Sequence, residues 1–161
     1  GVEMNFRVGI GYDIHRLKPG IKLVLGGVEI PFEMGLDAHS DGDALLHAIC
    51  DAILGAASMG DIGLHFPDTD KKFKGADSAK LAMDVVRMVK DAGWRIVNID
   101  SNIIAQRPKM RPLIDDVRKS ISKIFGIELD SVSVKARTNE GLDAVGREEG
   151  IAVQAVVMLA K

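Results

Sequence analysis

The sequence predicts an α+β fold, a two-layer sandwich in which a mixed β-sheet carries helices packed on one face. Apolar residues alternate with a period of two over residues 6–14 and again over 95–105, as they do in strands. Between and after these stretches the period changes to that of a helix, and it returns to strand character near the end. No repeat, low-complexity linker or composition shift divides the 161 residues, so a single domain over 1–161 is expected. That length suits one core and is short for two.

The patterned part begins near Asn5 with the strand 6–14. Residues 22–30 read as a hairpin bent at Gly26-Gly27, and Pro31, which has no N–H, ends its ladder. From Ser40 onward Leu46, Ile49, Ile53, Leu54 and Ala57 form one helical stripe. Ser40-x-x-Asp43 resembles a capping box there, and Gly60 is a stop signal. Residues 61–77 hold Pro67 and several glycines without a consistent period, so they read as a loop, and loops of that length usually carry function.

A second helix is expected over 78–92, with Leu81, Val85, Met88 and Val89 inward and Gly93 just past its end. The strand 95–105 follows. Pro112 suits the first turn of a third helix whose Ile114, Val117, Ile121 and Ile124 face the core before Gly126. Two late strands, 131–136 and 151–159, flank a glycine-rich connection. The last is apolar on both faces between Val153 and Leu159, which predicts burial on both sides.

Composition narrows the function classes. The formal net charge is only -2, so no global basic field points to nucleic acid or to a polybasic membrane contact. No apolar run approaches the roughly 20 residues that cross a bilayer as a helix. The lone Cys50 has no partner for an intramolecular disulfide, and the N-terminus lacks the basic-then-apolar pattern of a secretory signal. A cytoplasmic protein that recognises any charged ligand locally is expected.

The histidines carry the sharpest signal. Side chains two apart on a strand share a face, so Asp13 and His15 project together, and His47 on the first helix can supply a third ligand. One carboxylate and two imidazoles leave a fourth tetrahedral position open, as in catalytic zinc sites. Asp43, His47 and Asp51 stand at i, i+4 and i+8, so the flanking carboxylates are expected to orient the imidazole. On spacing alone, Asp13-x-His15 can equally be an exposed strand end and His47 a helix-surface residue.

Four segments together are more specific. Gly11-Tyr12-Asp13-Ile14-His15, the run from Ala38-His39-Ser40 through His47-Ala48, Gly60-Asp61-Ile62-Gly63 with Phe66-Pro67-Asp68-Thr69-Asp70, and Ala105-Gln106-Arg107-Pro108-Lys109-Met110 resemble the motifs of the cyclodiphosphate synthase family, in its order and spacing. The resemblance spans residues 6–159. It implies a phosphorus–oxygen lyase of the non-mevalonate route to isoprenoid precursors. In the implied reaction the 2-phosphate of CDP-methylerythritol phosphate attacks the β-phosphorus, closes a cyclic diphosphate and releases CMP.

The same resemblance implies roles for particular residues. Asp13, His15 and His47 would hold Zn2+, and Glu140 a second ion, Mg2+ or Mn2+, that bridges the substrate diphosphate. His39 and Thr138 would stabilise the transition state, with His39 and Ser40 at the erythritol phosphate and Ile14 beside the ligands. Asp61, Ile62 and Gly63 with Phe66, Pro67, Asp68, Thr69 and Asp70 would close over the methylerythritol. Ala105, Gln106, Arg107, Pro108, Lys109, Met110 and Arg111 would hold the cytosine, and Arg137, Thr138 and Asn139 would lie at the phosphates.

A homotrimer with active sites at subunit boundaries is also implied, with an axial cavity near Ala144 and Arg147 that accepts an isoprenoid diphosphate. The chain departs from the family pattern at Arg137, where a small hydroxyl residue is common, at Ala144, where an aromatic is frequent, and at Glu148, which replaces a glycine. Two other classes compatible with the ligand set are a metal-dependent phosphohydrolase and a non-catalytic nucleotide-binding module. Product analysis separates the three.

Overall fold

Glycine, rather than a large apolar residue, occupies inward positions of the first strand. Side chains of Phe6, Val8, Ile10 and Tyr12 are exposed, while Gly9 and Gly11 are buried against a helix. A Cβ at Gly9 would lie 1.8 Å from the Ala52 carbonyl oxygen, and one at Gly11 1.8 Å from that of Ala48. Strand and helix backbones therefore touch, which only glycine allows. The computed structural model describes residues 3–67 and 77–161.

That strand, β1 (Phe6–Pro19), is followed by a two-stranded hairpin of β2 (Leu23–Leu25) and β3 (Val28–Ile30) and by the short β4 (Met34–Leu36). Gly26 and Gly27 turn the hairpin at φ 65° and 81°, the left-handed pair of a type I′ turn, as expected from the sequence. Helix α1 (Ala44–Ala56) leads to a single-turn helix α2 (Ile62–His65) and then to α3 (Ser78–Asp91). β5 (Arg95–Ile104), α4 (Ile114–Phe125), β6 (Val132–Arg137), a single turn α5 (Asp143–Gly146) and β7 (Gly150–Ala160) complete the chain. The main sheet runs β4-β1-β7-β5-β6, antiparallel except for the β5–β6 pair, so the mixed α+β architecture is as expected.

Three local expectations change. Ser40 does not cap α1: the N-cap is Asp43, whose carboxylate accepts from the N–H of Leu46. The apolar stripe of α1 widens to nearly its whole circumference, because β1, β7, β5 and α3 all pack against it; only His47, Asp51 and Gly55 stay partly or fully exposed. Part of the expected 61–77 loop is helical, since the Asp61 side chain accepts from Leu64 N–H and starts α2.

The last strand corrects a fourth. Val153, Ala155, Val157 and Leu159 are buried under the helices, but Gln154 is exposed and Val156 is 45 % exposed. Among the described residues, helices cover one face of the sheet only. The opposite face presents Phe6, Val8, Ile10, Tyr12 and Val156 together, because Ile10 pairs with Val156 and Tyr12 with Gln154.

Candidate active site

The inward face of β1 changes from glycine to Asp13 and His15 as the strand passes the N-terminal half of α1, and there the helix presents His47. Asp13 Oδ2 lies 3.0 Å from His15 Nε2 and 3.5 Å from His47 Nδ1. One ligand atom from each of the three residues lies within 4.8 Å of the others. The side chains are partly buried, at 24 %, 24 % and 12 % exposure. A carboxylate and two imidazoles converging at this spacing are a donor set fit for a divalent cation.

Electrostatics favour the ionised form of the central carboxylate. Burial alone would raise Asp13, yet the hydrogen bonds and positive charge of His15 and His47 outweigh it and hold the carboxyl down at about 2. His15 is correspondingly raised, chiefly by its hydrogen bond to Asp13 and against the effect of burial.

The carboxylates expected to orient His47 are engaged elsewhere. Asp43 is fully buried and accepts the backbone N–H groups of Gly26, Gly27 and Leu46 at 2.8, 2.7 and 3.0 Å, so it ties the hairpin turn to the start of α1. Asp51 accepts from Ile62 N–H at 2.8 Å and anchors α2. The contacts to His47 Nε2 come instead from Ser78 Oγ at 2.8 Å and Ser40 Oγ at 3.5 Å. Ser78 stands 31 residues from His47 at the start of α3, and sequence spacing holds no signal that joins them.

A cavity of about 300 Å³ opens beside the triad. It gathers Asp13, His15, His39, Ser40, His47, Ile62, Gly63 and Phe66 from the sequence-predicted set, and adds Tyr12, Ala38, Asp51 and Leu81. Ile14 points to the other face of β1 and lines a separate small recess with Ala144. Asp61 caps α2, and Pro67 is partly buried at the edge of the described chain. Asp68, Thr69 and Asp70 lie outside the described residues.

A second cavity, of about 690 Å³, lies between the loop after β5 and the end of β6. Ala105, Gln106, Pro108, Lys109, Met110, Arg111, Arg137 and Thr138 line it, and Asn139 joins Arg137 and Thr138 around a neighbouring recess. The two cavities have no lining residue in common among the described residues. Glu140 is exposed at φ 55°, and its N–H is bonded to Thr138 Oγ1 at 3.2 Å. Gly141 N–H bonds Gln106 Oε1 at 3.2 Å, which joins this turn to the β5 loop.

Arg107 serves the framework: its guanidinium pairs with Glu33 at 2.9 Å and Glu148 at 3.3 Å and lies over the Phe32 ring. Glu148 holds a φ of 62°, the left-handed backbone that explains a glycine at this position and costs a side-chain-bearing residue about 1–2 kcal/mol. Arg147 is exposed and paired with Glu149 at 2.5 Å.

Known proteins share both the fold and the sequence. Curated relatives named 2-C-methyl-D-erythritol 2,4-cyclodiphosphate synthase are 57 % identical over 153 residues in Pseudomonas aeruginosa and 54 % in Syntrophomonas wolfei, each alignment spanning 95 % of this chain and 98 % of the relative. A solved structure of 2C-methyl-D-erythritol-2,4-cyclodiphosphate synthase in a CDP-bound form superimposes with a TM-score of 0.88 at 38 % identity, over 95 % of this chain and 99 % of that one. The bifunctional IspDF of Campylobacter jejuni superimposes at 0.94 with 41 % identity over 98 % of this chain, which spans 43 % of that longer protein. With the YgbB family pattern matched over residues 6–160, the chain belongs to the YgbB family.

Proposed function

We propose that this chain is an enzyme that converts 4-diphosphocytidyl-2-C-methyl-D-erythritol 2-phosphate into 2-C-methyl-D-erythritol 2,4-cyclodiphosphate and CMP, a phosphorus–oxygen lyase step of isoprenoid precursor synthesis. The observation that carries the chemistry is the Asp13, His15 and His47 triad at the wall of the cavity that also holds His39 and Ser40. The 2-phosphate oxygen forms the new bond to the β-phosphorus as the bond from that phosphorus to the bridging oxygen breaks, and CMP leaves with its α-phosphate. The step asks the protein for alignment and charge dispersal more than for covalent help.

Asp13, His15 and His47 would hold Zn2+, and Glu140 would hold a second ion, Mg2+ or Mn2+. When bound, these ions draw the mutually repelling phosphates together and spread the leaving group's charge. His39 and Ser40 bind the 2-phosphate end, and Asp61 to Gly63 with Phe66 to Asp70 enclose the methylerythritol and exclude water. Residues 105–111 receive the cytosine through their backbone, Lys109 meets nucleotide charge, and Arg137 to Asn139 flank the phosphates. The synthase domain spans 1–161 and works in the cytoplasm; among the described residues no helix is long and apolar enough to cross a membrane.

The working unit is a homotrimer. Two observations support it: among the described residues the apolar outer face of β1 and β7 has no cover in the single chain, as is usual of an interaction surface, and the triad and residues 105–111 line separate cavities. A neighbouring subunit supplies the missing half of each site, and Ala144 and Arg147 border an axial cavity open to an isoprenoid diphosphate. Incubating purified protein with the CDP-methylerythritol phosphate substrate, Zn2+ and Mg2+ tests the activity. CMP with the cyclic diphosphate is expected; a linear phosphate product would mean a phosphohydrolase, and binding without turnover a nucleotide-binding module.

A further inference from the structure

We propose that Ser78 and Asp41 form a positioning relay that fixes the proton of His47 on Nε2 and leaves its Nδ1 lone pair for a divalent cation. The inference rests on the reading that Asp13, His15 and His47 hold a metal. It follows from counting donors. Among the described residues Asp41 accepts from each partner that meets it: Oδ1 takes the N–H of Asp43 at 3.1 Å and the hydroxyl of Ser78, and Oδ2 takes the N–H of Ser78 at 2.9 Å.

A serine hydroxyl has one hydrogen. Ser78 spends it on Asp41, so toward His47 Nε2, at 2.8 Å, its oxygen can only accept. The imidazole must then donate from Nε2, so when the ring gives up one proton to take a cation it is Nδ1, the nitrogen that faces Asp13, that holds the lone pair. Ser40 Oγ, the other polar neighbour of Nε2, stands at 3.5 Å, too far to compete with the 2.8 Å contact to Ser78. Ser78 is 1 % exposed, so water does not compete for the bond, and its place at the first turn of α3 holds the hydroxyl still. Through this relay α3, which gives the triad no ligand, sets the ring orientation and basicity of the ligand on α1.

The test reads metal binding and proton position, not turnover. In the unmodified, zinc-loaded protein with 15N-labelled histidine, the His47 shifts are expected to put the metal on Nδ1 and the proton on Nε2. Ser78→Ala should weaken Co2+ and Zn2+ binding about 10- to 100-fold, the usual range for losing such a partner, while far-ultraviolet circular dichroism stays unchanged. Ser78→Thr, which keeps the hydroxyl, should return affinity to near the unmodified value. Metal on Nε2 in the unmodified protein, or an unchanged affinity in folded Ser78→Ala, overturns the relay. Should the unmodified chain bind neither ion, the metal reading itself fails. The spectrum of the unmodified protein decides the question even if the alanine variant does not fold.

Discussion

Asp13 meets both imidazoles of the triad, so if the three hold a metal, each histidine is one of only two neutral ligands and neither is redundant. Replacing His47 by alanine leaves one carboxylate and one imidazole, a pair that holds a zinc ion poorly. His47→Ala should therefore remain folded, because the ring is partly exposed and lies on the one stripe of α1 left out of the core, yet bind well under one zinc per chain with no turnover. Elemental analysis of the folded variant checks it; stoichiometric zinc would remove His47 from the site. Glu140 stands apart from this cluster, on an exposed turn in left-handed backbone. Glu140→Gln keeps shape and backbone, so zinc content should not change, while the Mg2+ concentration for half-maximal activity should rise about tenfold as a charged oxygen ligand is lost. A magnesium response identical to that of the unmodified enzyme would exclude the assigned role.

At the scale of elements, the fold depends on two close approaches that the sequence encodes in different ways. Asp43 gathers three buried N–H groups from the hairpin and from α1. Asp43→Ala would orphan all three, each at about 1–3 kcal/mol, so urea denaturation should show a loss of about 3 kcal/mol or more. The glycines of β1 give a second expectation. Gly11→Ala would drive a Cβ into the Ala48 carbonyl, and neither backbone can yield, so the variant should be strongly destabilised or insoluble. Gly55 also lies on α1 but faces open space, and Gly55→Ala should instead stabilise by about 0.5–1 kcal/mol; a similar melting temperature for both variants would refute the packing argument. These contacts also mark how far the sequence could be read. Helix and strand periods, the Gly26-Gly27 turn and the Pro112 and Gly126 punctuation of α4 are local and were legible. The partners of Asp43 and His47 were not, because Gly26 and Ser78 reach them only through the tertiary path of the chain. The close approach of β1 to α1 was not legible either, for a related reason: a backbone contact at Gly9 and Gly11 leaves no hydrophobic residue to mark it.

At the scale of the whole molecule, the Asp13-x-His15 strand end and the histidine of α1 were legible from spacing as a group that could hold a metal, whereas residues 105–111 were singled out by family resemblance alone. Among the described residues of the single chain the two groups line different cavities. Among the described residues the outer side of Val153 to Leu159 has no cover in one chain, and it is a surface that an assembly of copies would bury. If adjacent subunits complete each site, neither half works without the other's neighbour. Equal amounts of two inactive variants, His47→Ala and one disabled in the nucleotide half, can be unfolded together and reassembled. In a closed ring of three, every mixed trimer has one boundary that joins an intact triad to an intact nucleotide half. Random assembly makes about three quarters of the rings mixed, and one of three boundaries works in each, so activity should recover to about a quarter of the unmutated value. A site contained within one chain predicts essentially none. Recovery near zero, with subunit exchange confirmed by native mass spectrometry, would reject the shared site while leaving the triad and its chemistry standing.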